Sequence, residues 1–195
     1  MSKPSLVFAT HNKHKLEEVQ AILSDTEFNI IGLDDIGFHT EIEETGALLE
    51  DNALIKSRAV SAYTELPVFS DDTGLEVFAL DMAPGVYTAR FAGPSKDAHA
   101  NMDKLLDLLK DKNDRRARFR TAVALILEGR EYLFEGIVEG RIALEKSGVG
   151  GFGYDPVFIP EDYDRTFAEL SAEQKNTISH RFRAIDHLRN FLKAQ

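Results

Sequence analysis

The stretch Phe69-Ser70-Asp71-Asp72-Thr73-Gly74-Leu75 places two adjacent carboxylates between two apolar runs. The runs, residues 67–69 and 75–80, have the composition of short strands, and Gly74 permits a tight backbone between them. Because side chains alternate along an extended chain, Asp71 and Asp72 are expected to point to opposite sides, one toward a cleft and one toward a neighbouring loop. Carboxylates at a strand end suit Mg2+, which takes one or two protein carboxylates together with substrate phosphates. The competing interpretation is a plain turn, since Asp, Thr and Gly all favour turns.

The composition limits the classes of protein to which the chain can belong. With 195 residues, 43% of them hydrophobic, it can form one domain with a substantial core. The net charge of -10 argues against a general nucleic-acid or membrane binder, which would need a basic face. Cysteine is absent, which excludes disulfides, thiolate nucleophiles and cysteine-type zinc sites. There is no signal peptide and no apolar run near the roughly 20 residues that span a bilayer, so a cytoplasmic protein is expected.

The N-terminal part reads as a strand, a polar loop and a helix. Residues 6–10 are apolar and predict a buried strand, and the helix that follows has one apolar face. The junction between them contains His11, Asn12, Lys13, His14 and Lys15. A helix N-terminus offers free N–H groups and the positive end of a dipole, so we interpret this junction as a phosphate site. Solvated charges at a helix start are the alternative, but lysines in a first turn oppose the dipole, which favours the phosphate. The Walker A pattern is absent.

A second strand is predicted at residues 28–33, an acidic loop at 34–46 and a helix at 47–63 that carries Lys56. Acidic runs are usually solvated loops. One carboxylate of this loop would nevertheless complete a metal site that Asp72 begins.

The second half predicts a helix at residues 97–111, a basic run at 115–118 on a loop, and two long strands. The strands, residues 118–128 and 131–145, are joined by a short connection and should pair antiparallel, which makes the sheet mixed. A short strand is predicted at 156–160. Near the end, Ser171 and Gln174 form a capping-box pattern that starts a helix, and another helix runs from residue 179 or 180 to 192.

A glycine-rich loop follows the long strands and includes Phe152, Gly153, Tyr154 and Asp155. Four glycines in residues 148–153 are costly unless the backbone needs unusual dihedral angles or approaches another group closely. The interleaved aromatic rings suit stacking on a planar base, with Asp155 at the edge of that base. A plain flexible loop is the alternative. His180 and Arg181, at the start of the last helix, suit an anion or a base edge.

Seven motifs in a fixed order make the chain resemble the inosine triphosphate pyrophosphatase family, the enzymes that remove non-canonical purine nucleoside triphosphates. In the first half they are Ala9-Thr10-x-Asn12-x-x-Lys15, Glu44-Thr45-Gly46, Asn52-Ala53-x-x-Lys56, Ser70-Asp71-Asp72-Thr73-Gly74-Leu75 and Pro84-Gly85-x-Tyr87-x-Ala89-Arg90. In the second half they are Gly150-Gly151-Phe152-Gly153-Tyr154-Asp155-Pro156 and Glu169-Leu170-x4-Lys175-x3-Ser179-His180-Arg181. Each motif is weak alone, but the order spans almost the whole chain.

The resemblance implies a mixed α/β fold with an elongated central sheet flanked by helices, arranged as two lobes with a substrate cleft between them. All of residues 1–195 would form one two-lobed domain, usually in a homodimer. The implied reaction is the hydrolysis of ITP, dITP and XTP to the monophosphate and pyrophosphate, with Mg2+ as the cofactor. Two positions depart from the family: His11 stands where many members have Gly, and Thr73 replaces the commoner Ser.

The resemblance also assigns roles to residues. Asp72 would be the proton acceptor or the residue that orients water, and Asp72 and Glu44 would be the metal ligands. Substrate binding would fall to Thr10, His11, Asn12, Lys13, His14, Lys15, Lys56, Thr73 and Lys175 around the phosphates. The base would be read by Phe152, Gly153, Tyr154 and Asp155 with His180 and Arg181. A side chain such as His180 or Arg181 would donate a hydrogen bond to a 6-oxo group and leave the amine of adenine unmatched.

Two other classes fit parts of the pattern. One is a pyrophosphatase of the related Maf type, which acts on pyrimidine or modified nucleotides, and a substrate panel separates it. The other is a non-catalytic nucleotide-binding regulator, against which the presence of Asp72, Glu44 and Lys15 argues.

Overall fold

The computed structural model describes residues 3–194, apart from the side chain of Ala172, as helices around a mixed sheet. The strands are β1 (Ser5–Phe8), β2 (Asn29–Ile31), β3 (Val68–Val77), β4 (Pro84–Gly85), β5 (Arg116–Leu127), β6 (Arg130–Ile142) and β7 (Phe158–Pro160). The helices are α1 (Lys13–Ile22), α2 (Leu49–Ser61), α3 (Ala98–Leu108), α4 (Ala172–Ile178) and α5 (His180–Lys193). The strand order is β2-β1-β3-β5-β6-β7, with β4 also paired to β3. Parallel pairs at β1 and antiparallel pairs at β4 and β7 confirm the predicted mixed α/β class.

The chain divides into two compact units. The first contains the residues up to Asp72, Thr121–Gly136 and the residues from Arg181 onward. The second contains Thr73–Arg120 and Ile137–His180. Strands β3, β5 and β6 contribute residues to both units, and the division of β3 falls directly after the two aspartates.

In the first unit the sheet is covered on both faces. Leu6 and Phe8 of β1 pack with residues of α1 and α5 such as Val19 and Leu188, whereas Val7 packs with Val60 of α2. Alternate residues of one strand therefore enter different cores, as expected for a strand that is buried on both sides. This explains why residues 6–9 form a continuous apolar run rather than an alternating one.

The second unit has one apolar core. Leu75 and Val77 of β3 pack there with Leu105 of α3 and with Phe119 of β5. Phe119 also contacts the ring of Phe158 in an edge-on arrangement, with ring centroids 4.7 Å apart. The core anchors the segments on either side of the glycine-rich loop, because Ile142, Tyr154 and Val157 belong to it.

Three local predictions were wrong. The two short strands predicted around the aspartates are one strand, β3, which passes through Asp71 to Gly74 without a turn. The basic run at 115–118 lies largely on β5, and Arg115 is structural because it donates to the carbonyl oxygens of Leu109, Ile142 and Ala143. The strand predicted at 156–160 begins only at Phe158, because residues 155–157 form a 3-10 turn.

None of the helices between residues 3 and 194 combines the length and the apolar character that crossing a membrane requires.

Candidate active site

Asp71 and Asp72 contact different partners, as the alternation of side chains along β3 requires. Asp71 is buried, and its carboxylate accepts hydrogen bonds from Nζ of Lys15 at 3.0 and 3.1 Å and from Nε of Arg181 at 3.2 Å. Oδ2 of Asp72 accepts a hydrogen bond from Nδ2 of Asn52 at 3.0 Å. Oδ1 of Asp72 lies 3.7 Å from Nζ of Lys56.

Lys56 links Asp72 to the acidic loop. Its ammonium donates to Oε1 of Glu44 and lies close to Asp72, so one lysine interacts with two carboxylates. Burial raises the pKa of Asp72, and the charges of Glu44 and Asp71 add to this rise against the opposing effect of Lys56 and Asn52. Burial alone would lower the pKa of Lys56, but Asp72, Asp71 and Glu44 together raise it. Burial therefore disfavours the ionised form of Asp72, whereas the three carboxylates favour the charged form of Lys56.

Asn52 is the residue of this cluster that sequence reasoning did not assign to the site. Its side chain is buried, with Oδ1 accepting from the N–H of Gly46 at 2.7 Å and Nδ2 donating to Asp72. A Cβ at position 46 would lie 2.7 Å from that Oδ1 and 2.5 Å from Cβ of Asp51, so only glycine permits the approach. The available signal was its spacing, because Asn52 lies four residues before Lys56 and so shares a face of α2 with it.

Glu44 and Asp72 fit a divalent cation. Carboxylate oxygens are the ligands that Mg2+ prefers, and both of these carboxylates lie beside the ammonium of Lys56. Within residues 3–194, no group of three or more His, Cys, Asp or Glu side chains is arranged to hold a metal ion. Two carboxylates suit a cation that completes its coordination with water and with the phosphates of a ligand.

The N-terminus of α1 has the properties of an anion site. Asn12 caps the helix, and its Oδ1 accepts a hydrogen bond from the N–H of Lys15 at 3.2 Å. Thr10 orients Asn12, because its hydroxyl accepts from the N–H of Asn12 at 3.1 Å. The first turn contains no acidic residue, so nothing in it neutralises the positive end of the helix dipole.

A cleft of about 330 Å³ opens beside this helix start, within the first unit. Thr10, His11, Asn12 and Lys13 are among the residues that line it, together with Asp34 and Asp35. Nδ1 of His11 lies 3.4 Å from Oδ1 of Asp34, so the unusual histidine faces an acid. His14 is almost fully exposed, and its Nδ1 lies 3.9 Å from Glu17.

In the second unit, Asp155 organises the glycine-rich loop. Its buried carboxylate accepts hydrogen bonds from the N–H of Phe152 at 2.7 Å and from Nζ of Lys175 at 2.5 Å. Gly151 has a φ of +73°, and a Cβ there would lie 2.0 Å from Oδ2 of Asp155. The loop can therefore close over Asp155 only with glycine at this position.

The two aromatic residues of the loop differ in exposure. Phe152 is 66% exposed, and Nζ of Lys175 lies 4.5 Å from the centroid of its ring. Tyr154 is buried in the core, where its hydroxyl donates to the carbonyl oxygen of Thr88 at 3.0 Å and burial raises its pKa. Phe152 thus presents an accessible ring, whereas Tyr154, which we expected to help stack on a base, packs inward. Gly153 between them has a φ of +62°.

His180 and Arg181 are adjacent at the start of α5 but belong to different units. His180 is buried, and its ring stacks on Phe119 with centroids 4.8 Å apart. Arg181 is buried in the first unit, where Nη1 donates to Glu18 at 3.1 Å and Nε donates to Asp71. Burial disfavours its charge, but Asp71 and Glu18 raise the pKa of Arg181 above its usual value. This differs from the expectation that Arg181 reads a base, because its guanidinium is committed to two carboxylates.

The remaining predicted residue, Thr73, follows Asp72 on β3 and is half-buried as the first residue of the second unit. The structure thus brings together Lys15, Lys56, Glu44 and Asp72 with their neighbours in the first unit. In the second unit it brings together Phe152, Asp155 and Lys175. Besides Asn52, sequence reasoning gave no separate role to Asp71 or Glu18, which the structure joins through Arg181.

Comparison with known proteins gives a consistent picture. The family model of the Ham1 family matches residues 6–191. A dITP/XTP pyrophosphatase of Porphyromonas gingivalis is 52% identical over 188 residues, which cover 96% of each chain. One of Bacillus subtilis is 47% identical, again with 96% of each chain covered.

Two solved structures agree in fold along almost the whole chain. The Ham1 protein of Staphylococcus aureus superposes with a TM-score of 0.92 at 41% identity and covers 97% of this chain and 98% of its own. A HAM1 protein from Coxiella burnetii gives a TM-score of 0.94 at 38% identity, with 98% and 100% covered. These matches confirm the resemblance drawn from the seven motifs, and the chain belongs to the Ham1 family.

Proposed function

We propose that this protein hydrolyses the non-canonical purine nucleoside triphosphates dITP, ITP and XTP to the monophosphate and pyrophosphate. The names of the P. gingivalis and B. subtilis relatives support this substrate class. The observation that carries the proposal is the cluster in which Asp72 and Glu44 share the ammonium of Lys56. Such a cluster supplies a carboxylate for water and a cation for phosphate, which are the two requirements of phosphoryl-group hydrolysis.

Asp72 is the proposed catalytic residue. Water attacks the α-phosphorus, the bond from that phosphorus to the bridging oxygen breaks, and pyrophosphate leaves. Asn52 holds one carboxylate oxygen of Asp72, and the carboxylate is proposed to orient the attacking water and accept its proton. A divalent cation held by Glu44 and Asp72, with Mg2+ as the proposed identity, would neutralise the charge that develops on the phosphates.

We propose that residues at the start of α1, together with Lys56 and Thr73, bind the phosphates. Thr10, Asn12 and Lys15 present a hydroxyl, an amide and an ammonium at the start of α1, where the helix dipole favours an anion. Lys56 adds a second ammonium beside Asp72. We propose that Lys13 and Lys175 contribute positive charge and that His11 and His14 contribute ring N–H donors toward the phosphates.

We propose that the base is recognised by the glycine-rich loop and His180 of the second unit. Phe152 offers an exposed ring for stacking, and Asp155, Gly153 and Tyr154 hold the loop that carries it. His180 is the proposed donor toward a 6-oxo group, since the guanidinium of Arg181 is held by Asp71 and Glu18. A donor in that place rejects adenine, because its amine would leave the donor unpaired.

The test is a panel of ITP, dITP, XTP, GTP, ATP and pyrimidine triphosphates, assayed for pyrophosphate release with and without Mg2+. We expect metal-dependent release from ITP, dITP and XTP, and little from ATP. Preferential release from a pyrimidine nucleotide would instead indicate a Maf-type activity. Absence of release from every nucleotide, despite binding, would indicate a regulator. The homodimer that the family resemblance implies would appear in light scattering as twice the chain mass of 21.8 kDa.

A further inference from the structure

Asp71 is the most buried of the candidate-site acids in the first unit, yet the proposed chemistry gives it no role. It belongs to a row of four alternating charges in the first unit, in the order Glu18, Arg181, Asp71, Lys15. Glu18 and Lys15 come from α1, Arg181 from α5 and Asp71 from β3. A buried carboxylate is unfavourable unless it is paired, and Asp71 has two cationic partners.

The two partners of Asp71 differ in accessibility. The Arg181 side chain is only 6% exposed and is held by Glu18 as well as by Asp71. The Lys15 side chain is 28% exposed and lies one turn into the helix whose N-terminus forms the anion site. Arg181 can therefore keep Asp71 paired while Lys15 interacts with a ligand.

Lys15 is fixed at both ends. Its backbone N–H donates to Asn12, and its ammonium donates to both carboxylate oxygens of Asp71. An ammonium has three N–H donors, and these bonds use at most two of them. A free lysine would lose rotamer entropy on binding a phosphate, whereas this one has already lost it on folding.

We propose that Asp71 is a positioning residue that fixes the Lys15 ammonium for a phosphate of the substrate, with Arg181 as its permanent counter-ion. This inference rests on the proposed function, because it assigns a phosphate to Lys15. Asp71 does not touch the reacting atoms in this arrangement. It acts through Lys15, so its contribution should vanish when Lys15 is removed.

The test compares Asp71→Asn, Lys15→Met and the double variant in KM for dITP and in inhibition by inorganic pyrophosphate. We expect each single variant to raise both constants by about tenfold, the effect of one charge-assisted hydrogen bond. The double variant should raise KM and the pyrophosphate inhibition constant no further than Lys15→Met does, because the two residues act together. Inhibition by inosine, which has no phosphate, should not change in any variant.

Asp25→Asn is the matched control. Asp25 also pairs with an arginine and a lysine, Arg189 of α5 and Lys193, but it lies outside the proposed site. We expect its KM and its pyrophosphate inhibition to equal those of the unsubstituted protein. Asp71→Glu replaces Asp71→Asn in the test if the latter does not fold, because glutamate keeps the negative charge but displaces the Lys15 ammonium. Asp71→Glu should also weaken the binding of pyrophosphate.

The outcomes separate the inference from the proposed function. If the unsubstituted protein releases no pyrophosphate from any purine, the proposed function fails. If the unsubstituted protein does release pyrophosphate, but Asp71→Asn and Asp71→Glu bind pyrophosphate as tightly as the unsubstituted protein, only the positioning role fails. Additive effects of the Asp71 and Lys15 variants would equally overturn that role, since they would show that Asp71 acts independently of Lys15.

Discussion

Nδ2 of Asn52 donates a hydrogen bond to Oδ2 of Asp72 at 3.0 Å, while the other end of the same amide accepts from the N–H of Gly46. This one side chain therefore connects α2, the carboxylate on β3 and the acidic loop that carries Glu44. Its burial fixes the direction of the amide, and the amide in turn holds Oδ2 of Asp72 in place.

Asn52→Asp should lower turnover of dITP by about 10- to 100-fold, the usual effect of removing a residue that orients a metal-site or catalytic ligand. An aspartate can still accept from Gly46, but it cannot donate to Asp72 and adds a like charge beside it. The measurement is kcat by pyrophosphate release. Asn190→Asp is the control, since Asn190 donates to Asp186 in the same way on the exposed side of α5. Turnover of Asn52→Asp equal to that of the control would contradict the role.

Asp72→Asn should abolish turnover, with a loss of roughly 10²- to 10⁴-fold, and leave substrate binding measurable. The asparagine has nearly the same shape but cannot accept a proton from water. Calorimetric titration with dITP would report binding, and pyrophosphate release would report turnover. Near-normal turnover would remove Asp72 from its proposed place in the reaction.

The pattern of apolar residues was sufficient to predict most of the fold. The strand at residues 6–10, the helix after it and the long antiparallel pair are all present, because their burial follows directly from their apolar periodicity. The aspartate stretch was misjudged, because local turn preference at Asp71 to Gly74 is weaker than the pairing of β3 with its neighbours.

The candidate site was predictable only in part. Motifs indicated Asp72, Glu44 and Lys56, but the partners of a buried polar group depend on tertiary contacts. Arg181 looked like a donor for a base until its contacts with Asp71 and Glu18 were known. Tyr154 looked like a stacking residue until its burial was known. The local spacing of residues in the sequence predicts neither the contacts of Arg181 nor the burial of Tyr154.

Gly151→Ala should destabilise the second unit more than a positive φ alone explains. The residue has a φ of +73°, and an added Cβ would lie 2.0 Å from Oδ2 of Asp155. Gly129→Ala is the matched control, because Gly129 also has a φ of +73° but has nothing within 4 Å of an added Cβ. Backbone strain should cost each variant about 1–2 kcal/mol, and only Gly151→Ala should lose the Asp155 contact as well. Equal midpoints of urea unfolding for the two variants would contradict the account of this loop.

Phe152→Ala should raise KM for dITP by about 5- to 150-fold, the range expected when a base loses one stacking partner worth roughly 1–3 kcal/mol. Because Phe152 is 66% exposed, thermal stability should change little. Leu144→Ala is the control, since Leu144 is also apolar and 82% exposed in the same unit but has no proposed role. A KM for Phe152→Ala as low as that of Leu144→Ala would assign base stacking to another residue.

Because of Asp25, the free energy of unfolding of the first unit should depend on pH in the acidic range. Hydrogen bonds from Arg189 and Lys193 hold the pKa of Asp25 well below its usual value of 3.8. A carboxyl group with a lowered pKa in the folded state stabilises the fold above its unfolded pKa, and this contribution disappears as the pH falls through the folded pKa.

The difference in Tm between the unsubstituted protein and Asp25→Asn should therefore be largest near pH 7 in low salt and should shrink below about pH 4. Salt at 1 M should also reduce it, because the ion pair is exposed and screened. Asp107→Asn, which removes an exposed acid from α3, provides the comparison for a change in net charge alone. A Tm difference for Asp25→Asn that stays constant from pH 7 to pH 3 would show that the carboxylate charge does not stabilise the fold.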